Sequence, residues 1–281
     1  MNEGTIAMSI EETVTAHYTH GALGEAVLAA ARQSGVDPVR LTLRDLAPVD
    51  EFHLGGIEAT EHFVPQLGID PGSHWLDVGS GIGGPARHIA DRSKCKVAGI
   101  DLVPEFCAVA RLLTEKVGLA GKVEFHQGSA LAMPFADAVF DGAYTMHVAM
   151  NIEDKPALYR EIHRVLRPET IFGIYDILAG AEPGPLNYPV PWSSTAETSF
   201  LASIGEMEAL LEHAGFEILV RTDRTRFALE YFERMRERAA AGSSPLGIHL
   251  VMGEGFKEKI GNLRVNIEAG RCSPWEIVCR R

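Results

Sequence analysis

Apolar residues recur at two different periods along this chain. Up to about residue 70 the spacing is helical: Leu23, Val27, Leu28 and Ala31 share one face, and a second helical stretch over 58–66 follows the Gly55-Gly56 pair. Short apolar runs then take over. Trp75-Leu76-Asp77-Val78 ends in Gly79, and Lys96-Val97-Ala98-Gly99-Ile100 ends in Asp101; a helix is predicted between them over 85–91, with Pro85 tolerated in its first turn. The alternation continues with a helix over 104–117, strands over 123–126 and 139–146, a helix over 156–166 and a strand over 171–177. Strands separated by helices of that length predict an α/β, Rossmann-like, doubly wound and mostly parallel sheet, whose ligands sit at the carboxyl ends of the strands.

The second half departs from that rhythm. Residues 179–200 are rich in Pro and Gly and carry Tyr188 and Trp192. A loop of this length in a compact domain is usually functional, and the two rings are expected either to bind substrate, closing over it as a lid, or to anchor the loop. Ser203-x-x-Glu206 has the form of a capping box, opening a helix that Gly215 stops, and a strand follows over 216–220. A charged helix over 224–241 alternates signs as a solvated face does, a helical insertion follows, and 273–279 reads as a last strand. The expected division is an N-terminal helical segment (1–70), a cofactor-binding core with its lid loop (71–223), a helical cover (224–270) and a last core strand (271–281).

Composition narrows the partners. With 281 residues, 46% of them apolar, the chain can build one elaborated domain without staples. A formal charge of −12 disfavours a grip on nucleic acid or on anionic membrane surfaces and leaves a small molecule as the expected partner. The four cysteines form no C-x-x-C pair, which points to reduced thiols, a cytoplasmic setting and no structural metal. No apolar run approaches the ~20 residues of a membrane span, and an acidic start, Met1-Asn2-Glu3-Gly4, argues against a secretory leader. His17-x-x-His20 has metal-like spacing but no partner ligands nearby in sequence, and a homodimer is left open.

The chemistry concentrates in Asp77-Val78-Gly79-Ser80-Gly81-Ile82-Gly83-Gly84, which satisfies G-x-G-x-x-G through Gly79, Gly81 and Gly84. A dinucleotide would set its pyrophosphate on this turn, where the Asp77 carboxylate would oppose it. A ligand with a cationic end, such as the ammonium of a methionine moiety, suits Asp77 instead. Asp101 stands 24 residues further on, at a second strand end, where a carboxylate takes both hydroxyls of a ribose. Together they point to S-adenosylmethionine.

Trp75 to Gly84, Gly99-Ile100-Asp101, Gly128-Ser129-Ala130, Phe135-x-x-x-x-Phe140-Asp141 and Arg164-Val165-Leu166-Arg167-Pro168 together resemble the ordered motifs of class I S-adenosylmethionine-dependent methyltransferases. Two further stretches, Asp50-Glu51-Phe52-His53-x-Gly55-Gly56-x-Glu58-Ala59-Thr60 and Met146-His147-x-x-Met150-Asn151-Ile152, resemble the branch holding ubiquinone-biosynthesis-type and glycine, sarcosine and dimethylglycine N-methyltransferases. The resemblance implies that Asp77, Gly79, Ser80, Gly81 and Gly83 cradle the methionine end, that Asp101 holds the ribose, and that Leu102 packs on adenine. It also implies that Ser129 and Ala130 meet the adenine edge, where the family more often has Asp in place of Ser129, that Tyr18 reaches over the cofactor, and that Met146 and His147 lie where transfer occurs. Pro168-Glu169-Thr170 replaces the usual Pro-Gly-Gly, so a differently shaped turn is expected.

Methyl transfer needs in-line alignment and exclusion of water, and a base only when the acceptor arrives protonated. Of eleven histidines, His147 and His53 are the candidates for that base; His88, His126 and His163 sit inside helix or strand patterns. Arg87 is expected to be an exposed helix arginine, or to help hold the cofactor carboxylate. N-methylation of a small amine is expected ahead of O- or C-methylation of a quinone, polyketide or other natural product. The rivals of another class are a non-methylating cyclase that binds S-adenosylmethionine and an NAD-dependent dehydrogenase.

Overall fold

Side chains that alternate along β1 (His74–Val78) sort the core into two layers. Leu76 and Val78 enter one cluster with Ala98, Ile100, Phe172 and Ile174, whereas Trp75 joins a second with Val97, Tyr144 and Tyr175 on the opposite face. A sheet buried on both faces needs helices on both, and the βαβ order supplies them. In this computed structural model, which describes residues 8–242 and 244–281, α5 (Gly84–Ser93), β2 (Lys96–Asp101), α6 (Pro104–Lys116), β3 (Val123–Gln127), β4 (Phe140–Met146), α7 (Lys155–Val165) and β5 (Leu166–Ala179) follow in turn. The acidic start at Met1-Asn2-Glu3-Gly4 lies outside the described residues.

The capping box at Ser203 opens α8 (Ile204–His213), followed by β6 (Glu217–Asp223), α9 (Thr225–Ala241), α10 (His249–Met252), α11 (Phe256–Glu268) and β7 (Cys272–Arg280). The sheet order is β3-β2-β1-β4-β5-β7-β6, parallel except where β7 inserts antiparallel between β5 and β6. The fold is therefore the mostly parallel, Rossmann-like α/β sheet that the alternation predicts. β1 lies between β2 and β4, so the carboxyl ends of these three strands open on a common crevice.

Four helices precede the sheet: α1 (Ile10–Tyr18), α2 (Leu23–Gln33), α3 (Leu43–Asp50) and α4 (Gly56–Phe63). The sequence pattern misses α1 and α3. Both are short, and each is opened by a capping box, Ser9 with Glu12 and Thr42 with Asp45, rather than by a long apolar stripe.

Two expectations are corrected. The turn expected at Pro168-Glu169-Thr170 does not form: α7 passes directly into β5, and Glu169, at φ 61°, sits inside the strand. The cause is pairing with the chain terminus. Glu169 N–H donates to Arg281 O at 2.8 Å and Arg281 N–H to Thr170 O at 2.9 Å, so ladder bonds replace turn bonds. The second correction concerns Arg87, which is neither an exposed helix residue nor part of the crevice. It is fully buried, with Nη2 2.7 Å from Asp50 Oδ2 and Nη1 3.1 Å from Thr114 Oγ1, and so ties α3 and α6 to α5. Removing one partner of a buried ion pair leaves the other charge unpaired, so Arg87→Ala is expected to lose about 3–5 kcal/mol in chemical denaturation; a loss below about 1 kcal/mol would show that water replaces the pair.

Candidate functional site

Two glycines make the turn after β1 possible. Gly79 has φ 75°, and a Cβ there would lie 2.3 Å from Val148 Cγ2; Gly83 has φ 84°, and a Cβ there would lie 2.4 Å from Phe125 Cζ. Gly81 differs from both, because a Cβ on it would meet nothing within 4 Å. The turn thus closes against the protein on two sides and opens at Gly81 onto a cleft of about 260 Å³.

Two carboxylates flank this opening. Asp101, at the end of β2, accepts from Gly81 N–H at 2.7 Å through Oδ2 and from Val103 N–H at 2.9 Å through Oδ1. Burial nevertheless pushes its carboxyl up to about 6. Asp77 is 2% exposed, its Oδ2 has no hydrogen-bond partner among the described residues, and burial pushes it up to about 8. A buried polar atom left unpaired is costly, and its persistence on the cleft wall marks a place where a donor can dock.

Ser80, Leu102, Ala130, Met146 and His147 also line the cleft, as the resemblance implies, whereas Gly83 does not and serves the turn instead. Ser129 lines it too, with a partner that sequence reading missed. Its Oγ donates to Glu11 Oε1 at 2.5 Å and accepts from Leu131 N–H at 3.1 Å. Glu11 comes from α1, so the N-terminal helix brings a carboxylate to the position where the family more often carries one on the core. The capping box Ser9-x-x-Glu12 is the signal that could have located that helix.

Tyr18, Phe52, His53 and His147 form a wall shared by the cleft and a second, smaller cavity of about 40 Å³. Tyr18 OH donates to Asn151 Oδ1 at 3.0 Å, and its ring packs edge-on against Phe52. His147 stands at φ 58°, its N–H donates to Tyr175 O at 2.7 Å, and its buried Nε2 has no partner. Burial, and then the neighbouring His53, hold its imidazole well below the ordinary histidine range. The two rings lie 6.1 Å apart between centroids, so both histidines singled out in the sequence meet at one wall.

The second cavity lies beneath α9, α10 and α11. Met150, Phe232, Met235, Met252 and Leu263 line it, with no Asp, Glu, Lys or Arg among the described lining residues. Trp192 lines it as well, but as a core residue: it is 2% exposed, and Nε1 donates to Ser199 Oγ at 2.9 Å. Tyr188 lines neither cavity and packs against the apolar cluster around Trp192. Both rings of the loop 179–200 thus pack into the apolar cluster, as the anchoring alternative expects, and Trp192 also lines the second cavity.

Residues 76–174 match the model of a methyltransferase domain. The sterol 24-C-methyltransferase ERG6B of Gibberella zeae is 40% identical over 119 residues, which are 42% of this chain and 31% of that protein. Residues 76–174 are therefore a methyltransferase domain, of the class I S-adenosylmethionine-dependent kind. The matches to the first of these methyltransferase relatives span about a third of their lengths. An O-methyltransferase of Pyrenophora dematioidea is 32% identical over 177 residues, 63% of this chain and 66% of that protein. The structure of a geranyl diphosphate C-methyltransferase from Streptomyces coelicolor superposes with a TM-score of 0.71 at 16% identity, covering 98% of this chain and 99% of that one, and so shares the fold.

Asp77 makes the stability of this protein depend on pH. Its unfolded carboxyl releases its proton near pH 4, while the folded one holds it to about 8, so the group's contribution is full in acid and is lost as pH rises through about 8. Asp77→Asn should therefore lessen the fall in thermal midpoint between about pH 5 and about pH 8.5 measured on the ligand-free chain. An unchanged slope would show that Asp77 is already ionised.

Proposed function

We propose that this chain transfers the methyl group of S-adenosylmethionine to an apolar small molecule, held where the second cavity opens onto the cleft, with a carbon or oxygen atom facing the cleft. The observation that carries this reading is the shared wall: a cleft flanked by the carboxylates of Asp77 and Asp101 meets, at Tyr18, Phe52, His53 and His147, a cavity lined without formal charge among the described residues. The residues fit the cofactor. Asp77 Oδ2, unpartnered and buried, suits an ammonium, Gly81 leaves the backbone open to close approach, and Asp101 retains lone pairs for ribose hydroxyls beyond its two backbone bonds. Glu11 and Ser129 supply acceptors for an exocyclic amine.

When bound, the cofactor supplies an electrophilic methyl group on a sulfonium. What the chain contributes is position and dryness. The apolar cover aligns the acceptor, the aromatic wall excludes water, and no residue has to bond covalently to either partner.

The unlined charge also moves the acceptor away from the small amine first expected. A protonated amine would have to shed its hydration in a cavity that offers no carboxylate, and a phosphorylated acceptor would find no Lys or Arg. An apolar natural product with oxygen or carbon as nucleophile loses little on entering.

Titration calorimetry with S-adenosylhomocysteine tests the cofactor half; binding of NAD in its place would return the dehydrogenase reading. Mass spectrometry tests the other half, since acceptor converted without formation of S-adenosylhomocysteine would return the cyclase reading. Asp101→Ala is expected to weaken S-adenosylhomocysteine binding by about 1–3 kcal/mol, and equal affinity would remove its ribose role. Met235→Glu places a charge in the acceptor cavity and should raise KM for apolar acceptors by about tenfold or more with cofactor affinity unchanged. An unaltered KM would place the acceptor elsewhere.

A further inference from the structure

The wall between the two cavities contains a hydrogen-bonded chain that alignment of a methyl group does not by itself require. His53 Nε2 lies 3.0 Å from Gly56 O and 3.1 Å from Thr60 Oγ1. A carbonyl oxygen only accepts, so Nε2 carries the hydrogen of the neutral ring, and Nδ1 keeps its lone pair. Thr60 sends its own hydrogen onward, to Glu51 Oε2 at 2.6 Å. Glu51 is 3% exposed, and Oε2 stands 3.7 Å from His53 Nε2. Among the described residues Nδ1 has no hydrogen-bond partner, and the ring lines both cavities.

Resting on the methyl-transfer reading above, we propose that His53 Nδ1 is the base that receives the proton of an acceptor hydroxyl, and that Thr60 and Glu51 are positioning residues that hold its tautomer and balance its charge. The acceptor class is then an apolar alcohol, enol or phenol. As transfer occurs, a lone pair on the acceptor oxygen forms the bond to the methyl carbon. The bond from that carbon to sulfur breaks, and its electron pair stays on sulfur. The hydroxyl proton moves to Nδ1 and later leaves to water with the product. The positive charge that began on the sulfonium thus passes to an imidazolium 3.7 Å from the Glu51 carboxylate.

His147, the other histidine of the wall, lacks this support. Its Nε2 is unpartnered, nothing fixes its tautomer, and its neighbour His53 disfavours a charge on it. The groups facing His53 are Glu51, His147 and Tyr175, whose hydroxyl is committed to Leu54 O at 2.9 Å. Those bearing on Glu51 are Asp50, Arg87 and Asp77, with the hydroxyls of Tyr144 and Tyr231. Burial, with Asp50 adding to it, pushes Glu51 up to about 8, and burial pushes His53 down to about 4. The working form, neutral His53 beside ionised Glu51, therefore grows as pH rises through about 8.

The test uses the full chain with 15N-labelled histidine, saturated with S-adenosylhomocysteine. His53 should show the Nε2–H tautomer, and its titration should shift in Glu51→Gln and in Thr60→Val. In turnover with S-adenosylmethionine, 2-naphthol and 1-naphthylmethylamine serve as matched oxygen and nitrogen acceptors. The naphthol rate should rise with pH to a plateau above about 8, lose that limb in Glu51→Gln with KM unchanged, and fall at least about a hundredfold in His53→Gln with cofactor affinity intact. The Nδ1–H tautomer, a titration indifferent to Glu51→Gln, or methylation that His53→Gln leaves at full rate would each overturn the proposal. Failure to bind S-adenosylhomocysteine would overturn the wider methyl-transfer reading and leave the tautomer result to stand alone.

Discussion

One constraint governs the site: a parallel sheet buried on both faces leaves no solvent for a polar side chain along β1, yet Asp77 stands there. Alternation sends its carboxylate into the layer of Trp75 and Tyr175, next to the turn, with one oxygen unpartnered. An apolar residue at this position would fold more readily. The carboxylate is held by its place in the strand, between Leu76 and Val78, which anchor the opposite face. A local violation of core chemistry, enforced by consistent packing on either side, is what a preformed binding site looks like in free-energy terms.

The rest of the molecule protects that arrangement. Val148 and Phe125 pack so closely on Gly79 and Gly83 that the turn has a single shape, and the Arg87–Asp50 pair clamps the helix after the turn to the N-terminal segment. From that clamped segment come Phe52 and His53, while α9, α10 and α11 close the other side. The cleft with its two carboxylates and the uncharged second cavity are products of different parts of the chain that share one wall.

Histidines at that wall are kept neutral by burial, which suits a base better than a charged ring would. His53 and His147 differ in what lies behind them. His53 is backed by a threonine and a glutamate, and His147 by a strained backbone and a neighbouring ring. Burial alone makes a histidine deprotonated; only a compensating carboxylate makes it willing to accept a proton during a reaction.

The βα alternation, the glycine turn, Asp77, Asp101 and the capping box at Ser203 were legible in the sequence because each depends on residues close in the chain: period-two burial, positive φ, a strand end, a four-residue bond pattern. The turn at Pro168 was misread because its bonds are made with Arg281, and Arg87 because its partner Asp50 is 37 residues away. Glu11 on Ser129 spans 118 residues, and the second cavity is assembled from segments as far apart as Tyr18 and Leu263. Sequence by itself determined the sheet, the turn and the sign of the charge at the cofactor end, since those follow from local geometry. Only the tertiary structure decided the chargeless second cavity, the contacts of His53 Nε2 and the carboxylate behind it, because each is a property of what packs against a residue rather than of what precedes or follows it.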